Sequence, residues 1–221
     1  MPNLPKCLSN IRFGSFLTYS PQGRGISEIS NKSRIITYGI KDDRPGYIEY
    51  CISRLKEEIV PGKRAESLAS LFGNDVVIVP CPRSAPMVAG ALWSPRSICA
   101  QLVQQGLAKE SSILLERVNP VAKSSTSSPE RRPKPLDHVR TLGISKQIEL
   151  VGANKITIID DVITKGATLI AAASVLKHHL PDASISVFGL VRTISYGEIS
   201  AIMEPVLGEI TVTGNDANRN P

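Results

Sequence analysis

The sequence predicts an α/β protein: a doubly wound, mostly parallel sheet with a small additional lobe. Short apolar runs alternate with segments of helical periodicity from about Asp75 to Arg192. One run, Ile156 to Ile159, leads into two adjacent carboxylates and then a glycine-containing turn that opens a helix. A chain of 221 residues, 42% hydrophobic and 21% charged, suits one sizeable core rather than two domains.

From the N-terminus, Phe16–Tyr19 and Arg34–Ile40 read as short β-like runs separated by the Gly- and Ser-rich stretch Pro21–Lys32. Pro45–Ile59 has the spacing of an amphipathic helix. Residues 1–60 thus form a small N-terminal lobe. The core spans 61–213: a strand at Asp75–Val79, a helix at Pro95–Leu107, a strand at Ser112–Leu115 and a weaker helix at Pro135–Gln147. The apolar strand from Ile156 follows, then a helix from Ala167 to about Leu180, stopped by Pro181, and a strand at Ser184–Val191. Tyr196–Thr213 contributes a helix and a strand, and the polar segment 214–221 frays.

No apolar stretch is long enough to cross a bilayer, and the N-terminus lacks the apolar centre of a secretory signal, so a cytoplasmic location is expected. Cys7, Cys51, Cys81 and Cys99 show no metal-binding or disulfide spacing. The net charge of +6 fits nucleic acid, an acidic surface or a polyanionic small molecule. Much of the excess lies in Glu116–Gln147, where seven basic side chains face three acidic ones.

Ile156, Ile158 and Ile159 are β-branched and uncharged, as in a strand buried on both faces of a parallel sheet. Asp160 and Asp161 then sit near the strand's carboxyl end, where open α/β sheets hold their ligands. In Thr164-Lys165-Gly166-Ala167-Thr168 the glycine lets backbone approach a ligand closely, and the free N–H groups of a starting helix attract an anion. Carboxylates suit hydroxyls and the turn suits a phosphate.

This order of strand, paired acids, two apolar residues and Thr-x-Gly-x-Thr resembles the signature of the type I phosphoribosyltransferases. The resemblance implies that Asp160 and Asp161 bind the ribose hydroxyls of phosphoribosyl pyrophosphate and act as the catalytic acids, and that Thr164, Lys165, Gly166, Ala167 and Thr168 wrap its 5-phosphate. Lys165 departs from the small residue common there, and its ammonium adds a point charge. The family's loop after the early strand holds pyrophosphate, which points to Cys81, Arg83 and Ser84 in the proline-dense Pro80–Pro86. That Pro-x-Pro arrangement and LWSPRSICAQLVQQGLA are similar to the competence-associated and amidophosphoribosyltransferase-like branch.

The long polar loop Val118–Leu136 matches the position of the family's mobile loop, which makes Lys123, Arg131, Arg132, His138 and Arg140 candidates for the leaving pyrophosphate. Residues 1–60 correspond to the family's hood, and Arg192, Thr193 and Tyr196 are acceptor-pocket candidates. The implied activity is a Mg2+-dependent transferase of nucleotide metabolism that moves ribose 5-phosphate to a nitrogen acceptor the sequence does not name. Magnesium would be held through the donor, with Asp160 and Asp161 as further ligands. A homodimer is compatible with the resemblance. The alternative is a regulatory phosphoribosyl-pyrophosphate-binding protein of competence or defence type, acting with nucleic acid or protein partners, although no helix-turn-helix segment is present for reading DNA sequence.

Overall fold

The computed structural model describes residues 4–21, 26–122, 132–146, 148, 152–194 and 198–221. Its centre is a seven-stranded, mostly parallel sheet flanked by helices, which bears out an α/β fold. The strands are β1 (Asn10–Tyr19), β2 (Gly73–Pro80), β3 (Ala108–Ser111), β6 (Lys155–Ile163), β7 (Ser184–Thr193), β8 (Met203–Thr213) and β9 (Asp216–Asn220). They lie in the order β3-β2-β6-β7-β1-β8-β9. The first five run parallel, and β8 and β9 are antiparallel additions. A two-stranded ribbon, β4 (Leu115–Arg117) with β5 (Leu142–Ile144), stands apart.

Both sheet faces are covered, so the parallel strands are apolar on both sides. Ile159 joins a core with Ile78, Phe188 and helices α2 (Tyr47–Glu58) and α3 (Ser94–Gln104). Ile156 and Ile158 join a second core with Val187 and helix α5 (Ala167–His179), whose Leu169, Ile170 and Leu176 are fully shielded from water. From β2 the chain goes outward to β3, yet the next sheet strand, β6, pairs on the other side of β2. That reversal opens a crevice at the carboxyl ends of β2 and β6, where such sheets take ligands.

Several expectations are corrected. Arg34–Ile40 is helical, within α1 (Glu28–Lys41), despite its β-branched residues. Ser27 caps the helix by accepting from Ser30 N, and the distant Glu198 carboxylate accepts from Ser27 N and Ser30 Oγ, so capping overrides propensity. Phe16–Tyr19 belongs to no separate lobe, because β1 lies inside the main sheet between β7 and β8. The Ser112–Leu115 strand is displaced to β3 and β4 on either side. Helix α4 (Pro135–Thr141) stops at Leu142, whose backbone turns extended to pair in the β4–β5 ribbon. Tyr196–Thr213 contains β8 and, among its described residues, no helix. The 214–221 segment is β9 rather than a frayed end, joined to β8 by the two-residue turn Gly214-Asn215 with Gly214 at φ 61°. Among the described residues no helix is long and apolar enough to cross a membrane.

Candidate functional site

The acids on β6 open into the crevice, a cavity of about 440 Å3. Asp161 is held from two sides: Oδ1 accepts Val162 N at 2.6 Å and Oδ2 accepts Ser94 Oγ at 2.6 Å. Ser94 begins α3, so the helix that covers β2 and β6 also orients the acid. Asp160 Oδ1 accepts Asp161 N at 2.9 Å, and no described residue donates to its Oδ2. Burial and then the adjacent Asp161 charge raise the Asp160 pKa well above the carboxylate range, while Lys41 pulls the other way. Such a carboxylate gains most from a cation or hydroxyl donors brought by a ligand. No group of three or more His, Cys, Asp or Glu that could hold a metal occurs among the described residues. Asp160 and Asp161 facing the cavity are hard oxygen donors of the kind with which Mg2+ is held by one or two carboxylates and otherwise by ligand oxygens and water.

Beside the crevice lies a second cavity of about 100 Å3, lined by Thr164 to Leu169 with Arg132, Lys134 and Asp216. The two abut at Asp160, Val162, Thr164 and Thr168. Gly166 takes φ 89° to turn the chain from β6 into α5, a conformation that disfavours any side chain. The first bond of α5 runs from Ile170 N to Gly166 O, so the amides of Ala167, Thr168 and Leu169 precede it and have no intrahelical acceptor. An anion-seeking turn thus stands one residue from the acids' strand. Lys165 does not present a free ammonium to this cavity, because Asp216 Oδ2 holds it at 2.8 Å and also lies 3.3 Å from Lys134 Nζ.

On the pyrophosphate side the expectation divides. Arg83 and Ser84 line the crevice. Cys81 lines it too: its N–H goes to Ile159 O at 2.7 Å, its carbonyl accepts Trp93 Nε1 at 2.8 Å, and its thiol faces Pro82 O at 3.9 Å. Burial and then the Asp160 charge push its thiol pKa well above the ordinary value, so the sulfur sits neutral beside the cavity.

Arg117, Trp93, Ser94 and Lys41 line the crevice without having been singled out. Arg117 is only 5% exposed, yet no carboxylate lies within ion-pair distance of it among the described residues. It donates instead to Arg83 O (2.9 Å), Thr141 Oγ1 (2.6 Å) and His138 Nδ1 (3.4 Å). A buried cation surrounded only by neutral acceptors keeps its charge uncompensated among the described residues. Its position beside a buried His138 comes from non-adjacent elements, so no sequence spacing announces it.

Of the mobile-loop candidates, Lys123 and Arg131 lie outside the described residues. Arg132 lines the smaller cavity, and Arg140 is exposed on α4 and lines neither. His138 is corrected: it is 3% exposed on α4, and burial, reinforced by Arg117, lowers its pKa to about 4, so it is a neutral fixed group rather than a mobile cation. Among the acceptor-pocket candidates Tyr196 lies outside the described residues. Arg192 is also corrected, since it is buried against β8 and its Nη2 pairs with Glu204 Oε2 at 2.6 Å, away from both cavities. Thr193 lines neither cavity, and its carbonyl accepts Arg219 Nη2 at 2.7 Å. Compared with known proteins, the chain matches no family model and no curated protein sequence.

Proposed function

We propose that this protein binds phosphoribosyl pyrophosphate in the manner of a type I phosphoribosyltransferase and transfers ribose 5-phosphate to a nitrogen acceptor. One observation carries the reading: paired carboxylates open into a switch-point crevice that abuts an anion-seeking turn, and the same crevice is lined by a buried arginine with no carboxylate partner among the described residues. Asp160 lines both cavities, which suits a ligand with hydroxyls in its middle and phosphates at both ends.

In this reading Asp160 and Asp161 accept hydrogen bonds from the ribose hydroxyls, the Thr164–Thr168 turn takes the 5-phosphate, and Arg117, Arg83 and Ser84 face the pyrophosphate. The bond from the anomeric carbon to pyrophosphate breaks, its electron pair leaves with pyrophosphate, and the acceptor nitrogen forms the new bond. The anomeric carbon gains positive character on the way, which the acid pair favours, while Arg117 meets the charge gathering on the leaving group. Bound magnesium, with Asp160 and Asp161 as the residues to hold it, would supply further neutralisation of the donor.

An acceptor screen tests the proposal. Pyrophosphate release is followed with donor and Mg2+ across nucleobases, amines and nucleic acids. Release with at least one acceptor, lost in the Asp160→Asn/Asp161→Asn protein, is the expected result. A protein that neither binds the donor nor releases pyrophosphate with any acceptor would overturn it.

A further inference from the structure

His138 is the least exposed polar side chain in the crevice wall, and it touches both halves of the site. Its Nδ1 lies 3.4 Å from Arg117 Nη2 and its Nε2 lies 3.3 Å from Thr168 Oγ1. A guanidinium has only donors, so Nδ1 accepts and the proton of the neutral ring stands on Nε2. Nε2–H then donates to Thr168 Oγ1. With that oxygen accepting, the hydroxyl hydrogen of Thr168 is left to donate elsewhere, and Thr168 lines both cavities where they abut.

We infer that His138 is a positioning residue: it fixes a one-way donor chain from Arg117 through the imidazole to Thr168, whose hydroxyl then donates to a phosphate oxygen of the ligand. The chain begins at a cation and ends on an anion, so each donor is polarised by the one before it. It joins the arginine on the pyrophosphate side to the turn on the 5-phosphate side. Its members come from β4, α4 and α5, which is why no local motif contains it.

The inference rests on the proposed function, since it takes the cavity beside Thr168 as a phosphate site. The test is calorimetry with ribose 5-phosphate on wild type, His138→Leu, His138→Gln, Thr168→Val and the His138→Leu/Thr168→Val double variant, each checked for folding by thermal melting. Losing the Thr168 hydroxyl removes a donor to a charged acceptor and predicts about tenfold weaker binding for Thr168→Val, whereas His138→Leu leaves that hydroxyl in place but unaligned and should weaken binding a few-fold. The double variant should be no worse than Thr168→Val alone, because His138 acts only through that hydroxyl. A glutamine amide offers an acceptor and a donor in the same order, so His138→Gln should recover most of the affinity.

Wild-type affinity in His138→Leu, or multiplied losses in the double variant, would overturn the chain while leaving the phosphate site intact. If His138→Leu does not fold, His138→Gln and Thr168→Val still decide: loss in the first with none in the second overturns it. Failure of the wild type to bind ribose 5-phosphate would instead sink the phosphate reading itself, and this inference with it.

Discussion

Replacing Gly166 with alanine strikes the turn where β6 passes into α5. Gly166 has φ 89°, and a Cβ there would stand 2.5 Å from Ile210 Cδ1 and 2.8 Å from its Cγ1. The left-handed backbone costs an L-residue roughly 1–2 kcal/mol. Ile210 is fully buried, so it yields space only by repacking, at about 1–3 kcal/mol. Restricting the unfolded chain returns about 0.4–1 kcal/mol. The net expectation is a loss of about 1–5 kcal/mol, measured by urea unfolding as a lower midpoint at unchanged slope. In an Ile210→Val background the nearest contact, Cδ1, is gone, so the alanine should cost less there by about 1 kcal/mol. Ribose 5-phosphate binding should weaken in the single variant as the α5 amides shift. A Gly166→Ala protein within about 0.5 kcal/mol of wild type, with unchanged binding, would refute the reasoning that this turn is conformationally forced.

Three further outcomes follow from particular contacts. Ser94→Ala removes the donor to Asp161 Oδ2 and should weaken donor binding about tenfold, since hydrogen bonds to charged groups contribute about 1.5–3 kcal/mol; calorimetry with the donor and Mg2+ checks it. Asp216→Asn releases Lys165 and Lys134, and should raise inorganic phosphate affinity a few-fold while changing unfolding free energy by less than about 1 kcal/mol, because the pairs are partly exposed. His138 titrates at about 4 when folded and at 6.5 when unfolded, so between those values the unfolded chain binds more protons. Its stabilising contribution is complete above pH 6.5 and fades as pH falls toward 4, on the order of 3 kcal/mol in all. The stability difference between wild type and His138→Gln should therefore shift in glutamine's favour across that window, in urea melts at a series of pH values.

The parts of the fold visible in the sequence are those whose cause is local. Ile156–Ile159 reads as a strand from its own side chains, and Gly166 with Pro181 brackets α5. Where the cause is distant, the residues mislead. Arg34–Ile40 has strand-like composition, but its helix is capped in part by Glu198, which lies far along the chain. The β8–β9 hairpin did carry a local signal, Gly214-Asn215, outweighed by the polarity of the segment around it. The same division runs through the site. Asp160, Asp161 and the Thr164–Thr168 turn are contiguous and legible, whereas Ser94, Arg117 and His138 converge from three elements and acquire meaning only in space. Arg192 turns away from the cavities because the half-exposed Glu204 takes its guanidinium, and Cys81, though it lines the crevice, has its N–H committed to the backbone of β6.

The contact proposed between Asp160, Asp161 and the hydroxyls of a sugar phosphate is open to direct measurement. Isothermal calorimetry with phosphoribosyl pyrophosphate and Mg2+, on wild type and on Asp160→Asn/Asp161→Asn, measures that contact directly. Saturable binding by the wild type, with affinity reduced at least a hundredfold in a folded double variant, is the predicted result, as expected for two charged hydrogen-bond acceptors lost together. Equal affinity in the two proteins, or no binding by the wild type, would contradict it.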